Sequence, residues 1–450
     1  MITDLYASGY KSLDDFSLSI HSGLNVLVGP NGSGKSNILS LFEFLSHASK
    51  YSLAEAVSRS GGAGTIFRRS ESQDIGSSFH IRLRGYGKTN ASRRGLRYAT
   101  RRQPDYFVEY EYSATVTLSE KVNSLFYSSQ RLALSVFDNP ASRSVPNRKT
   151  GDKRWHFDMV TQVTSAGDRA LRRNKVNRSA LKKVIGNTFT KIDNSYLHYV
   201  IDVATHPLIN LLSNLLPPSR KAFEDIASGY VYNLNPNAIK QPEDIARTAE
   251  INSDGSGLAA TLFSIQELER QGPNRFGLHY MTEQAVTLNQ LREMFCLVND
   301  NITDVRVEND ALENKLVVIA KIASQPKEIE IPLAMLSDGT VKWFALVTAV
   351  LRQRAIFSLE EPENFLHPYM QKEVVQILRN STDGSSERFS LMTTHSETLL
   401  NALDPSEVVV VSMRAGRTLA MRSKYADELR EEIRRSGFGL GHFYVSGAIE

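Results

Sequence analysis

The run Gly29-Pro30-Asn31-Gly32-Ser33-Gly34-Lys35-Ser36 places glycines, a lysine and a hydroxyl at the spacing G-x-x-x-x-G-K-[ST]. Glycines at these positions let backbone N–H groups converge on phosphate oxygens, and a following helix turns its positive end toward them. Lys35 then reaches the β- and γ-phosphates of a nucleotide, and the Ser36 hydroxyl ligates Mg²⁺. The candidate nucleotide contacts are Gly29, Asn31, Gly32, Ser33, Gly34, Lys35, Ser36 and Asn37. The plain alternative is a functionless glycine-rich turn. A strand before it and a helix after it argue for the phosphate cradle.

Further along, the apolar run Ala355–Leu359 ends in Glu360-Glu361. That puts two carboxylates at the C-terminal edge of a strand, where ligands of open α/β sheets bind. Glu360 can hold the Mg²⁺ shell while Glu361 polarises an attacking water. Standing alone, the pair is only an acidic loop. Beside a phosphate cradle it becomes a candidate catalytic site.

Ser337-Asp338-Gly339-Thr340 opens a helix with a hydroxyl and exposed N–H groups, a second anion site built on Ser337 and Gly339. One chain rarely needs two phosphate clamps for one nucleotide. Two chains packed head to tail do, each completing the other's site. An ordinary N-cap is the alternative. Thr393-Thr394-His395-Ser396 closes another apolar strand, and His395 there can hydrogen-bond a γ-phosphate or the attacking water. A structural histidine is the competing reading.

These groups need elements to hold them. Leu5–Ala7, Phe16–Ile20 and Leu24–Val28 read as strands, and Asn37–Ala48 as a helix with Ile38, Leu41, Phe42 and Leu45 at helical spacing. Phe79–Leu83 and Phe107–Leu118 read as strands around a basic loop, Gly85–Gln103. From Ser119 to Ser228 the character changes. It is basic with weak periodicity to about Lys183 and helical over Ile192–Phe223, so we expect a largely helical inserted lid. Beyond it, helices over Asp254–Gln271, Val286–Val298, Ser337–Arg352 and Tyr369–Asn380 alternate with buried strands Ala355–Leu359 and Phe389–Thr393. Ile302–Ile319 reads as a hairpin turning near Asn309–Glu313. Apolar strands alternating with helices point to an α/β sheet covered on both faces. No long heptad array is present, so no coiled-coil arm is expected.

Composition narrows the classes. The 450 residues suffice for two or three domains, and 41% hydrophobic with 23% charged residues is ordinary for a globular protein. The lone Cys296 cannot form an internal disulfide, reads as a small buried apolar residue and fits a reducing compartment. No stretch approaches the ~18 apolar residues of a spanning helix. The N-terminus lacks the pattern of a signal peptide. We therefore expect a cytoplasmic protein with no membrane partner. Charge is segregated: Arg84–Phe189 holds 21 Lys/Arg against 8 Asp/Glu, a net +13 in a chain of net +4. Such a block suits a phosphate backbone, an acidic partner or a merely solvated face.

In this order and spacing the four motifs resemble the ABC-type ATPase heads of the RecF, SMC and OLD-like group. By that resemblance Gly29–Ser36 is Walker A, Leu336–Thr340 the signature motif, Ala355–Glu361 Walker B and His395 the switch histidine. Glu360-Glu361-Pro362-Glu363-Asn364-Phe365-Leu366-His367-Pro368 looks like the extended Walker B of bacterial ATPases in that group. Asn235–Pro242 through Asp254–Ala259 resembles a stretch between lid and signature, and Gly439–Gly447 resembles the group's C-terminal tail. The resemblance implies an α/β P-loop NTPase fold, an ABC-type ATPase head with an inserted helical lid. Its parts would be an N-lobe over 1–118, the insert over 119–228 and a C-lobe over 229–450. ATP and Mg²⁺ are the implied cofactors, with Gln73 the candidate Q-loop ligand of the metal. Two positions depart from the pattern: Glu360 stands where aspartate is usual, and the signature reads Leu-Ser-Asp-Gly-Thr, retaining Ser337 and Gly339.

OLD-like chains often carry a C-terminal Toprim nuclease. Here the 55 residues after His395 hold no clustered acidic metal site, so a nuclease is expected as a separate subunit. The reading is an ATP-sandwiched homo-oligomer that senses or scaffolds for a partner effector, such as an HNH or Toprim nuclease, in bacterial antiphage defence. The alternative is a RecF- or SMC-like repair or chromosome-maintenance ATPase. It would bind nucleic acid directly through Arg93–Arg102 and Arg172–Lys183. A membrane-transporter motor fits neither the basic insert nor the Walker B extension.

Overall fold

The computed structural model describes residues 1–69, 76–89, 106–119, 124–138, 153–166, 169–176, 202–271, 286–297, 299–310, 312–325, 327–352, 356–382 and 387–448. The chain divides into two compact units. Met1–Tyr230, Gly384–Ser390 and Val409–Ser423 form the first; Val231–Asp383, Leu391–Val408 and Lys424–Glu450 form the second.

The first unit begins with β1 (Ile2–Ser8), β2 (Phe16–Ser19) and β3 (Gly23–Val28). It continues through β4 (Ser78–Thr89), β5 (Tyr106–Ser119), β6 (Ser124–Asp138), β7 (Lys153–Ala166) and β8 (Arg169–Val176). Seven of these strands form one antiparallel sheet in the order β2-β1-β4-β5-β6-β7-β8. Alternation explains it. Val108, Tyr110, Tyr112, Ala114 and Val116 are buried on one face of β5, and Leu132, Leu134 and Val136 continue that face on β6. The opposite face carries a charge ladder, Arg84–Glu111–Arg131–Asp158, with contacts of 2.7, 3.2 and 2.7 Å.

This sheet corrects the helical lid expected over 119–228. Among the described residues there, β6, β7 and β8 are strands, and only Leu208–Leu215 and Ser219–Ala227 form helices of the expected kind. Leu132-Ala133-Leu134-Ser135-Val136 alternates with the period of a strand, but the charged outward face disguises the pattern. β4 likewise runs on to Thr89, so residues 85–89 are strand where the sequence predicts the start of a loop. The two helices lie on the buried face. Tyr110 Oη donates to Asp225 at 2.7 Å, and Gln130 Oε1 accepts from the Leu208 N–H at 2.7 Å.

The P-loop helix, Lys35–Lys50, follows β3, whose residues from Leu24 to Val28 are all buried. Phe44 meets Phe79 and Tyr10 with ring centroids 5.5 and 5.9 Å apart, and Tyr10 Oη donates to the Ser40 carbonyl at 3.1 Å. The edge-on Phe44–Phe79 contact packs the helix against the sheet.

The second unit contains β9 (Tyr230–Tyr232), β10 (Glu243–Asp244), β11 (Ile302–Asp310), β12 (Lys315–Ile322) and β13 (Ile329–Pro332). β11 and β12 form the expected hairpin. β14 (Ile356–Glu360) lies between β9 and β15 (Phe389–Thr394), and both β14 and β15 are buried nearly throughout. The helix Asp338–Arg352 precedes β14, and Pro368–Thr382 joins β14 to β15. β16 (Val408–Arg414) and β17 (Arg417–Arg422) then return as an antiparallel hairpin to the first unit, where β16 lies beside β3. The architecture is mixed α/β, as expected. Among the described residues, no helix is long and apolar enough to cross a membrane.

Candidate active site

In the first unit, β3 runs straight into the glycine loop. A Cβ on Gly29 would fall 2.1 Å from the Val411 carbonyl oxygen, so β16 leaves room for no side chain. Gly34 has φ +102°, and a Cβ there would fall 1.9 Å from Thr418 Oγ1. Thr418 lies 2.6 Å from Ser12 Oγ, which accepts from Asn37 Nδ2 at 2.7 Å. Three hydroxyl and amide side chains thus seat the loop from beneath.

Lys35 is 6% exposed, and its Nζ donates to the Gly29 and Pro30 carbonyls at 2.8 and 3.1 Å. Gly34 caps the helix without a side-chain hydrogen bond, so no capping oxygen competes for the N–H groups of the first turn. Ser33 Oγ is buried with no hydrogen-bond partner among the described residues. An orphaned hydroxyl, a buried ammonium and a helix N-terminus closed to any Cβ fit a phosphate chain. Asn31 and Ser36 are exposed at the loop.

The second unit gathers the acidic groups. Glu360 ends β14, where its Oε2 accepts from Asn233 Nδ2 at 3.4 Å. Glu361 has φ +42°, a left-handed conformation unfavourable for a side chain of its size. Its N–H is directed at the Thr393 carbonyl and hydroxyl, both at 3.2 Å, which holds the kink against β15. The kink turns the carboxylate outward. Glu361 Oε1 lies 3.6 Å from His395 Nε2, and Oε2 accepts from Asn364 Nδ2 at 3.2 Å.

His395 is fixed from behind by Glu363, whose Oε1 accepts from the His395 N–H at 2.7 Å and from Thr394 Oγ1 at 2.8 Å. Glu363 Oε2 is buried without a hydrogen-bond partner among the described residues. Ser337 Oγ accepts from the Thr340 N–H at 3.2 Å, so the N-cap weighed in the sequence is present. Asp338 pairs with Lys240 at 2.6 Å. Gly339 is packed so tightly that a Cβ would fall 2.7 Å from the Phe365 carbonyl oxygen.

The second unit thus joins Glu360, Glu361 and His395 at neighbouring strand ends and brings Ser337–Thr340 to the same loop, while Gly29–Asn37 belongs to the first unit. Gln73 lies outside the described residues, as do Arg93–Arg102, Arg178, Lys182 and Lys183; Arg172, Arg173 and Lys175 lie on β8. Four residues of the site have no role assigned by the sequence: Glu363, Asn364 and Thr394, which lie within the quoted motifs, and Lys342, which lies outside them. Glu363 left a trace as the third carboxylate of Glu360-Glu361-Pro362-Glu363. Lys342 left another, a lone charge inside the apolar run Val341–Val350.

A family model described as "AAA domain, putative AbiEii toxin, Type IV TA system" matches residues 24–132 and 163–401. The chain belongs to this AAA domain family. The match takes in both the glycine loop and the carboxylate strand of this P-loop ATPase family member. Among solved structures, the SMC head bound to the C-winged helix domain of ScpA is 14% identical, covering 93% of this chain and 97% of that one, with a TM-score of 0.49. The SMC head domain from Thermotoga maritima is 12% identical over 94% and 98%, with a TM-score of 0.39. The Smc head with an extended coiled coil from Pyrococcus furiosus, bound to the C-terminal domain of ScpA, is 14% identical over 96% and 99%, at 0.43. With TM-scores below 0.5, none of these likenesses bears on what the AAA domain binds. No curated protein matches the chain in sequence.

Proposed function

We propose that this AAA domain binds ATP at Gly29–Ser36 and hydrolyses it, and that ATP-bound chains pair head to tail through Ser337 and Gly339. The observation that carries the reading is the cradle itself. Gly29 and Gly34 admit no side chain, Lys35 is buried beneath them, and the Ser33 hydroxyl has no hydrogen-bond partner among the described residues. Membership of a P-loop ATPase family whose model spans both motif sets supports one shared reaction.

In that reaction, Lys35 exchanges the Gly29 and Pro30 carbonyls for phosphate oxygens. Ser36 and Glu360, with Gln73, would hold Mg²⁺, which would supply positive charge to offset that of the phosphates. Glu361 takes a proton from water as the water oxygen bonds to the γ-phosphorus and the bond from phosphorus to the bridging oxygen breaks, leaving ADP and phosphate. His395 hydrogen-bonds a γ-phosphate oxygen, its backbone held by Glu363. Glu361→Gln is expected to retain ATP and lower turnover by about 100-fold or more, the usual range for a lost general base. Lys35→Ala is expected to abolish nucleotide binding. Equal turnover in wild type and Glu361→Gln sinks the general-base assignment.

The ATP-held assembly then acts as sensor and scaffold for a separate effector, a nuclease, in bacterial antiphage defence. Metal-dependent DNA cleavage by the purified chain alone overturns that division of labour. The net +13 of Arg84–Phe189 favours a second reading, a RecF- or SMC-like role on DNA. ATP-stimulated DNA binding that weakens steeply with salt is its signature. The family description also names a toxin; growth arrest by this chain expressed alone, and relieved by Lys35→Ala, would mark that role.

A further inference from the structure

The carboxylate loop is fastened to the helix Asp338–Arg352 at two points. Lys342 Nζ donates to the Asn364 carbonyl at 2.9 Å and approaches the Glu361 carbonyl at 3.4 Å. One turn earlier, the Phe365 carbonyl oxygen rests on Gly339, at the spot where any Cβ would sit 2.7 Å away. Between these points, Glu361 and Phe365 both hold left-handed backbone, with φ +42° and +70°. Neither is a glycine, so the surroundings impose the shape. Lys342 is 2% exposed and is the one charged side chain in the buried run Val341–Val350, which is apolar but for it and Thr348. A leucine or methionine would pack there without any desolvation. A lysine is the more expensive choice, and among the described residues its ammonium donates to the loop carbonyls of Glu361 and Asn364.

We propose that Lys342 is the positioning residue that links the helix N-terminus at Ser337–Thr340 to the carboxylate of Glu361. An anion drawn onto Ser337 and Gly339 acts on the same rigid helix that holds the loop. Engagement of one chain's signature turn with a neighbour's nucleotide therefore readies the base that works on its own. This rests on the hydrolysis reading above and adds to it a route between two sites within one protomer.

The test uses the full chain as wild type, Lys342→Met and Lys342→Arg, with Lys35→Ala and Glu361→Gln as controls. Dissociation constants come from a fluorescent ATP analogue; kcat and KM come from phosphate release with Mg·ATP. Lys342→Met is expected to bind the analogue within about threefold of wild type, since Gly29–Ser36 belongs to the other unit. Its kcat is expected to fall by about 100-fold, the scale of a base displaced by an ångström. Lys342→Arg, which still donates to carbonyls, regains about tenfold of that loss. A kcat for Lys342→Met within threefold of wild type overturns the proposal. So does a loss of affinity equal to the loss of kcat, which marks a merely structural role. If Lys342→Met does not fold, Lys342→Gln is put through the same measurements and judged by the same outcomes. If Glu361→Gln turns over like wild type, the hydrolysis reading falls and this inference with it. If Glu361→Gln is dead while Lys342→Met is not, only the positioning inference falls.

Discussion

Burial pushes the Lys342 ammonium from its ordinary 10.5 down to about 8, while Glu363 and Glu361 pull it back up. Desolvation wins, and the sign of the consequence follows. Between about pH 8 and 10.5 the unfolded chain keeps a proton that the folded chain has released, so stability rises with pH across that window. A shift of this size corresponds to at most about 3 kcal/mol. Urea unfolding at pH 7.5 and 10 is expected to show this rise in wild type and its loss in Lys342→Met. Parallel curves would contradict the buried-ammonium picture. Legibility differed sharply among single residues. Glu361 and His395 stand at the ends of apolar runs, a position a sequence displays. The partners that hold them come from elsewhere in the chain: Thr393 lies 32 residues from Glu361, and Glu363 lies 32 from His395. No local pattern marks such pairings.

Gln130 is the element-scale counterpart. It is buried on β6, donates to the Val203 and His206 carbonyls at 2.8 and 3.1 Å, and accepts from Tyr112 Oη and the Leu208 N–H at 2.9 and 2.7 Å. One amide thereby ties β5, β6 and the start of the helix Leu208–Leu215. Gln130→Met keeps the shape and strands four polar partners, so it is expected to destabilise the first unit by about 3 kcal/mol or more. Denaturant titration should show it, whereas Ser124→Ala at the edge of the same strand should change little. This corner was also where sequence reading failed. The long strands β6 and β7 carry arginines, serines and threonines on the outward face, which dilute the apolar alternation a strand is recognised by. In the second unit, β14 and β15 are apolar on both faces and were read correctly to within a residue or two.

For the whole molecule, the proposed head-to-tail pairing makes a prediction that no single chain can meet. Lys35→Ala spoils the glycine cradle and keeps the signature turn, whereas Ser337→Arg does the reverse. Each alone should be inactive. Mixed in equal amounts, half the dimers are hybrid and each hybrid holds one intact composite site, so about a quarter of wild-type turnover should return. No recovery on mixing would count against sites shared between chains. The mixed α/β class was legible because the motif order dictates a strand, a loop and a helix repeated. The division into two compact units was not, because it depends on segments that leave one unit and re-enter it: Gly384–Ser390 and Val409–Ser423 rejoin the first after a long excursion.

That return has a consequence for how the protein comes into being. The loop at residue 29 is seated against Val411, and Gly34 against Thr418. During synthesis at roughly 5–20 residues per second, the glycine loop therefore waits tens of seconds for the hairpin that completes its seat. A nascent chain, or one clipped before that hairpin, carries the full phosphate-binding motif and yet lacks the floor beneath it. On the proposed reading, competence to load nucleotide is acquired only once Val411 and Thr418 have been made, long after the motif itself.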